Sequence, residues 1–345
     1  MLKSKTIDFI TELFRTKEWV FSKILFNTSI VFAFLIIVGE NPTDKFTIYI
    51  SVIIYILSVG ALGYFINDVF DAKPDNISGK PNKSASLSIP TKIAIFVILI
   101  LSAGIPFWFL LPKIEYYLGF TAVQIFLFIV YSIPGLRLKK TFLGILCDAA
   151  YSYVLPAIIV LSICIISLNI NINPTYKSVV FIVWLSFIGI RSIINHQIYD
   201  LKNDIKSGER TFVYKLKRNQ SIFVLKTITA IEVVMYFILV FSTPSFHLVM
   251  GISLGILLTL EIIEILVFNT LPFNKTKFFF EALNRYYDYY IFMSFLIFFA
   301  LTINQLFAII PIIYVLSRFH FFKWLYYKPV LWIYYKSKGA IDRLK

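Results

Sequence analysis

Long apolar runs recur along the chain and are separated by polar connections. A helix of about 20 apolar residues crosses the hydrocarbon core of a bilayer, so runs of this length predict membrane-spanning helices. Nine such runs cover residues 19–39, 46–66, 93–111, 116–133, 142–168, 179–194, 222–241, 246–268 and 289–316. The pattern therefore predicts an all-α, polytopic membrane protein with about nine transmembrane helices.

The composition agrees with a membrane protein and excludes two other classes. Hydrophobic residues make up 59% of the 345-residue chain and charged residues only 15%, against roughly 25% charged residues in a soluble domain. A soluble surface and a disordered chain both require more polar sequence. Cys147 and Cys164 lie in one apolar run without the spacing of metal ligands, so neither a disulfide framework nor a zinc site is predicted.

Positive charge is concentrated on one side of the predicted topology. The formal net charge is +14, yet the odd-numbered connections between helices contain only Lys45, Lys113 and Lys177 among their lysines and arginines. By the positive-inside rule the N-terminus and the even-numbered connections are cytoplasmic, so the charge reflects topology and no nucleic-acid partner is expected. Residues 1–316 form the predicted nine-helix domain. The basic aromatic tail at 317–345 fits an outside C-terminus only if it lies in the membrane interface, or if one helix is miscounted.

A cluster of carboxylates begins the connection after the second predicted helix. Asn67, Asp68, Asp71 and Asp75 are spaced by three and four residues, so they share one helical face for as long as the helix lasts. Pro74 is expected to end the helix and leave Asp75 on the following loop. Like charges this close repel one another, so cations are predicted among them.

A second acidic cluster follows the sixth predicted helix. His196, Asp200 and Asp204 recur every four residues and therefore share a helical face. Both clusters lie at cytoplasmic helix ends, an arrangement that indicates an internal repeat of about four helices followed by a ninth. Oxygen ligands favour magnesium. The two acidic faces could hold two Mg²⁺ ions bridged by a diphosphate.

Basic residues lie close in sequence to the two clusters or follow the helix between them. Lys80 and Lys83 follow the first cluster, Lys139 follows the fourth helix, and Arg210 follows the second cluster. A diphosphate needs such donors in addition to its metals. Taken alone, each acidic cluster would be read as a solvated surface; both together on one side of the membrane favour a site for a lipid diphosphate.

The motifs together resemble those of the UbiA superfamily of intramembrane prenyltransferases. The matching segments are Asn67-Asp68-x-x-Asp71-x-x-x-Asp75, Gly79-Lys80-Pro81-Asn82-Lys83, Tyr131-Ser132-Ile133-Pro134 with Leu138-Lys139, and Asp200-x-x-x-Asp204. Their order and shared side of the membrane make the resemblance specific. It implies helices around a central cavity that opens to the cytoplasm. The composition, rich in Ile, Lys and Asn, and the lack of a transit peptide favour a prokaryotic plasma membrane.

The resemblance also implies a role for each motif residue. Asn67, Asp71, Asp200 and Asp204 would ligate magnesium, with Asp68 and Asp75 in support. Lys80, Lys83, Lys139 and Arg210 would hold the diphosphate. Members of the superfamily transfer a prenyl chain from a polyprenyl diphosphate to an acceptor, releasing pyrophosphate.

Some residues depart from the pattern of the quinone-pathway members. His196 and Gln197 before the second motif, and Tyr287 before the ninth helix, are interpreted as acceptor determinants. Their polarity argues against a quinone or haem acceptor and for a polar or phosphorylated one.

Three alternatives stay open from the sequence. A phosphoribosyltransferase would use the same metals with a polyprenyl phosphate as acceptor. A terpene cyclase of the same superfamily is less favoured, because no residue indicates a cyclising cavity. A transporter would use similar repeats, but its charges are expected near the bilayer midplane rather than at helix ends.

Overall fold

The computed structural model describes residues 2–108, 114–136, 138–171, 173, 175–268 and 283–313. Within these ranges the regular elements are all helical, which confirms that the protein is all-α as predicted. The α-helices are α1 (Leu2–Leu13), α2 (Thr16–Val38), α3 (Phe46–Ser78), α4 (Ile89–Trp108), α5 (Ile114–Ser132), α6 (Phe142–Ala149), α7 (Leu155–Ser167), α8 (Tyr176–Ser207), α9 (Phe212–Phe241), α10 (Phe246–Phe268) and α11 (Ile291–Thr302). A π-helical turn, Ala150–Val154, joins α6 to α7.

Six helical stretches among the described residues are long and apolar enough to cross a membrane. They are Thr16–Val38, Phe46–Ser78, Ile89–Trp108, Phe142–Ser167, Tyr176–Lys206 and Asn219–Phe241. Shorter apolar helices cover Tyr117–Ser132 and Phe246–Ile256. This pattern is that of an integral membrane protein.

The chain divides into two compact units, Met1–Pro244 and Ser245–Lys345. In the first unit α3 is central and packs against α2, α4, α5, α7 and α8. Tyr55, Leu62 and Phe65 of α3 are buried in this core. Gly189 lets α8 approach α6 closely, because a Cβ there would lie 2.6 Å from the Cα of Ala149. The packing brings the ends of α3 and α8 into one unit.

Helix α3 continues past Pro74, contrary to the expectation that this proline would end it. The helix ends at Ser78, where Gly79 adopts a left-handed backbone with φ of 79°. The carbonyls of Asp75 and Asn76 accept hydrogen bonds from the next turn, which closes the helix as a Schellman motif. Asp75 therefore lies on the helix with Asp68 and Asp71, and not on the loop.

The second unit contains α10, a π-helical turn at Tyr286–Tyr290, α11 and a 3₁₀ turn at Gln305–Ala308. The predicted ninth run, 289–316, is thus not one continuous helix. Helix α11 ends at Thr302, and Asn304 is extended, with its side chain accepting from the Leu306 N–H. Polar residues at 302, 304 and 305 favour this break because Asn caps a new helical turn well.

Candidate functional site

The first carboxylate face lies buried at the end of α3. Asp68, Asp71 and Asp75 are only 5, 8 and 8% exposed, and Asn67 beside them is half-buried. A buried carboxylate needs a cation or hydrogen-bond donors in place of water. Each of the three has such a partner.

Lys139 links the first face to the second. It belongs to the 3₁₀ turn Leu138–Lys140 that precedes α6, and its Nζ lies 2.5 Å from Oδ1 of Asp71. The same ammonium group is close enough to act electrostatically on Asp204 of α8. Gly144 packs directly against this turn, since a Cβ at position 144 would collide with Leu138. Lys139 thus contacts the first motif directly and lies near enough to the second to act on one of its aspartates.

The second carboxylate face occupies the end of α8. His196 Nε2 lies 3.3 Å from Oδ2 of Asp200, one turn along the same helix. The Thr211 hydroxyl donates to Oδ2 of Asp204 at 3.0 Å. Gln197 is buried, and its Oε1 accepts from the Val213 N–H at 3.3 Å. His196 and Gln197 are the predicted acceptor determinants on this helix. His196 is exposed, whereas Gln197 packs against the start of α9.

Asn82 closes the loop that follows α3. Its Nδ2 donates to Oδ2 of Asp75 at 2.8 Å and to the carbonyl of Asp68 at 2.7 Å. Its Oδ1 accepts from the Ala85 N–H and from the Ser84 hydroxyl. One amide thus joins the loop to two residues of the first motif.

Arg15 is a site cation that the sequence interpretation did not identify. It lies between α1 and α2 with a left-handed backbone, φ of 49°, and its guanidinium is 3.6 Å from Asp68. The group also lies over the Tyr64 ring and pairs with Glu18 at 2.6 Å. Burial disfavours its charge, but Glu18 and Asp68 outweigh this and hold its pKa above the ordinary value.

The other predicted phosphate donors differ in their surroundings. Lys80 is half-buried and close enough to act on Asp68. Lys83 is exposed and pairs with Glu12 of α1 at 3.1 Å, rather than with a motif aspartate. Arg210 is exposed in the loop between α8 and α9. Tyr287 is buried in the second unit, where its ring contacts that of Tyr286.

The donor set of the two faces fits magnesium by its chemistry. Asn67, Asp71, Asp200 and Asp204 supply only oxygen ligands, which Mg²⁺ prefers. Among the described residues, no three His, Cys, Asp or Glu side chains are grouped so that they could hold a metal ion. Mg²⁺ is usually held by one or two carboxylates together with waters and substrate phosphates, so a preformed cage is not required.

A polar and aromatic cluster surrounds the turn between α6 and α7. Asp148 accepts from the hydroxyls of Tyr151 and Ser152, and Lys23 donates to the Ser152 carbonyl at 3.1 Å. The Lys23 ammonium lies 3.4 Å from the centroid of the Tyr153 ring. This contact shows that aromatic faces in the unit already stabilise a cation.

Comparison with known proteins identifies the fold. The model of the UbiA prenyltransferase family matches residues 27–280. A UbiA homologue from Archaeoglobus fulgidus bound to GPP and Mg²⁺ has a TM-score of 0.57 and 14% identity, covering 83% of this chain and 99% of that one. The same homologue bound to Cd²⁺ gives the same TM-score, identity and coverage.

A further structural match is a digeranylgeranylglyceryl phosphate synthase. Its TM-score is 0.56 at 16% identity, covering 84% of this chain and 97% of that one. A search of curated proteins gives no match. Because the family model spans well over half of the sequence, the chain belongs to the UbiA prenyltransferase family.

Proposed function

We propose that this protein is a Mg²⁺-dependent intramembrane prenyltransferase that moves a prenyl chain from a polyprenyl diphosphate to an acceptor and releases pyrophosphate. The observation that carries the proposal is the meeting of two carboxylate faces, from α3 and α8, around Lys139. Carboxylates and a lysine in one place suit a metal-bound diphosphate, which needs both metal ligands and direct cationic donors. The structures of the homologue with GPP and with DMAPP, each with Mg²⁺, support a prenyl donor.

The proposed metal ligands are Asn67, Asp71, Asp200 and Asp204. They would hold two Mg²⁺ ions, which when bound neutralise the charge that develops on the departing diphosphate. Asp68 and Asp75 support these ligands from the same face of α3. With a metal bound, Asp71 would no longer need Lys139 as its partner, and the lysine would be free to donate to the diphosphate.

Lys80, Lys83, Lys139 and Arg210 are the proposed diphosphate donors. Lys139 is the donor best supported by the contacts, since it already lies between the motifs. Ionisation of an allylic diphosphate leaves a carbocation that aromatic faces stabilise and that the bilayer interior protects from water. The proton lost by the acceptor balances the reaction, with pyrophosphate as the leaving group.

The proposal includes the topology. Nine helices within residues 1–316 cross the membrane, the N-terminus and the aspartate motifs face the cytoplasm, and the tail at 317–345, outside the described residues, lies in the interface. A prokaryotic plasma membrane is the proposed location. His196 and Gln197 are proposed acceptor determinants, favouring a polar or phosphorylated acceptor, and Tyr287 stays a sequence-based prediction.

Pyrophosphate release by purified protein in detergent tests the proposal. Geranylgeranyl diphosphate and longer polyprenyl diphosphates are compared with phosphoribosyl diphosphate, with and without Mg²⁺, and a lipid extract supplies acceptors. We expect release from a prenyl donor only, and only with Mg²⁺. Asp204→Asn, which keeps the side-chain shape but removes the charge, should lower the rate by about 100-fold because a neutral amide binds Mg²⁺ much more weakly than a carboxylate.

Two results would contradict this function. Release from phosphoribosyl diphosphate alone would place the polyprenyl chain on the acceptor side. Unchanged activity of Asp204→Asn would refute the metal assignment, provided that the variant elutes and melts like the wild-type protein.

A further inference from the structure

The two aspartate motifs end in matching local structures. Gly79 lies four residues after Asp75, and Gly208 lies four residues after Asp204, with φ of 79° and 73°. The Asp75 carbonyl accepts from the Lys80 N–H at 2.9 Å, and the Asp204 carbonyl accepts from the Glu209 N–H at 2.8 Å. Both helices therefore close as Schellman motifs with the last aspartate in the same position.

The match extends to a side chain seven residues beyond each aspartate. Asn82 donates to Oδ2 of Asp75 at 2.8 Å, and Thr211 donates to Oδ2 of Asp204 at 3.0 Å. Asn82 is the N-cap of the 3₁₀ turn Lys83–Ser86, and Thr211 is the N-cap of α9. Each loop thus returns a capping residue to the carboxylate of the preceding helix.

The Thr211 hydroxyl serves the carboxylate and not its own helix. A threonine at an N-cap usually accepts a hydrogen bond from a backbone N–H in the first turn. Thr211 makes no such side-chain cap bond, although its backbone has the extended conformation of an N-cap. Capping of α9 therefore does not explain the hydroxyl, whereas orientation of Asp204 does.

Asn82 holds Asp75 through a rigid loop. Its amide makes four hydrogen bonds, two as donor to the first motif and two as acceptor within the loop. Ser84, which donates to this amide, is 1% exposed. These four hydrogen bonds fix the orientation of the amide, so the loop sets the direction of its N–H toward Asp75.

We propose that Asn82 and Thr211 are paired positioning residues, each holding one oxygen of the last aspartate of a motif so that the carboxylate faces the cation site. The inference rests on the proposed function, in which Asp204 is a metal ligand and Asp75 its counterpart in support. Groups that hydrogen-bond a metal ligand from behind typically change metal affinity or activity by about 10- to 100-fold when removed.

Equilibrium binding of Mn²⁺, followed by electron paramagnetic resonance, tests the inference without turnover. The protein is kept in detergent with a non-hydrolysable prenyl diphosphate analogue. Thr211→Val keeps the shape but removes the hydroxyl, and we expect about 10-fold weaker Mn²⁺ binding. Thr211→Ser keeps the donor and should bind within about threefold of wild type. Thr227→Val is the matched control, because its hydroxyl on the same helix donates only to the Phe223 carbonyl.

Asn82→Ser tests the first motif independently. Serine still caps the 3₁₀ turn but is too short to donate to Asp75, so Mn²⁺ affinity should fall, with a moderate drop in melting temperature from the lost bond to the Asp68 carbonyl. A similar loss in Asn82→Ser and Thr211→Val would support paired positioning.

The outcomes separate this inference from the function on which it rests. If Asp204→Asn abolishes Mn²⁺ binding but Thr211→Val and Asn82→Ser bind like wild type, the positioning role is wrong and the metal assignment stands. If Asp204→Asn also binds normally, the proposed metal site itself is wrong. A lower melting temperature in Thr211→Val with unchanged affinity would mark the hydroxyl as structural and overturn the inference.

Discussion

At the scale of single residues, Lys139 acts electrostatically on aspartates of both acidic faces. It is 13% exposed, contacts Asp71 directly and acts on Asp204. Removing it would take away the ammonium group that contacts Asp71 and would weaken the compensation of the repulsion among the aspartates. Lys139 therefore pairs with Asp71 in this structure and is proposed to donate to the diphosphate when the substrate is bound.

We predict that Lys139→Met weakens use of the prenyl donor much more than use of the acceptor. A hydrogen bond to a charged group contributes about 1.5–3 kcal/mol, so kcat/KM for the donor should fall by roughly 10- to 150-fold. The measurement is steady-state kinetics with each substrate varied in turn. Lys139→Arg keeps the charge and should retain more activity. A larger change in the acceptor KM would refute the placement of Lys139 at the diphosphate.

The site residues differ in how well the sequence alone predicts them. Asp71 and Asp204 follow from their spacing, because helical periodicity places them on a polar face. Arg15 does not, since its contact with Asp68 joins residues 53 positions apart through the packing of the chain. Asn82 and Thr211 had a usable signal: each lies seven residues after the last aspartate and three after a glycine.

At the scale of helices, the apolar runs predicted where helices lie but not where they end. The sixth run, 179–194, stops where the apolar residues stop, whereas α8 continues to Ser207. The polar end of α8 is held by packing on α9 and by the turn at Gly208, neither of which contributes to hydropathy. Likewise, the second apolar run ends at residue 66, whereas α3 continues to Ser78 and ends at the turn formed by Gly79.

A buried ion pair joins α8 to α9 within the membrane-spanning region. Arg191 Nε lies 2.6 Å from Glu232 Oε2, with the side chains 1% and 0% exposed. A charged residue inside a membrane-spanning helix can have a functional or a structural role. The direct contact supports the structural one, because a buried charge requires its partner.

We predict that Arg191→Leu destabilises the protein by about 3–5 kcal/mol, since it removes the cation that pairs with the buried Glu232 carboxylate. The double variant Arg191→Leu with Glu232→Leu should recover most of this loss, because both charges of the pair are then removed. Thermal unfolding in detergent measures both. A double variant less stable than Arg191→Leu would show that the glutamate has further essential contacts.

At the scale of the whole chain, α3 and α8 share one geometry relative to the bilayer. Asn67 lies 21 residues after the start of α3, and His196 lies 20 residues after the start of α8. At 1.5 Å per residue these stretches are about 30 Å long, which is the thickness of the hydrocarbon core. Each acidic cluster would therefore begin where its helix leaves the hydrocarbon, on the same side of the membrane.

This geometry predicts which positions lie on the same side of the membrane. Asp44 and Thr175 precede α3 and α8, Ser86 and Lys206 lie at or beyond their far ends, and all four are exposed. Single cysteines at Asp44 and Thr175 should react with a membrane-impermeant maleimide from outside, and those at Ser86 and Lys206 only in inverted vesicles. The native cysteines are buried, so the wild-type protein is the unlabelled control. Labelling of Asp44→Cys and Ser86→Cys from the same side would show that α3 does not cross the membrane. If positions 44 and 175 were labelled only in inverted vesicles and positions 86 and 206 from outside, both helices would still cross the membrane. The aspartates would then lie outside, contrary to the positive-inside distribution of lysine and arginine.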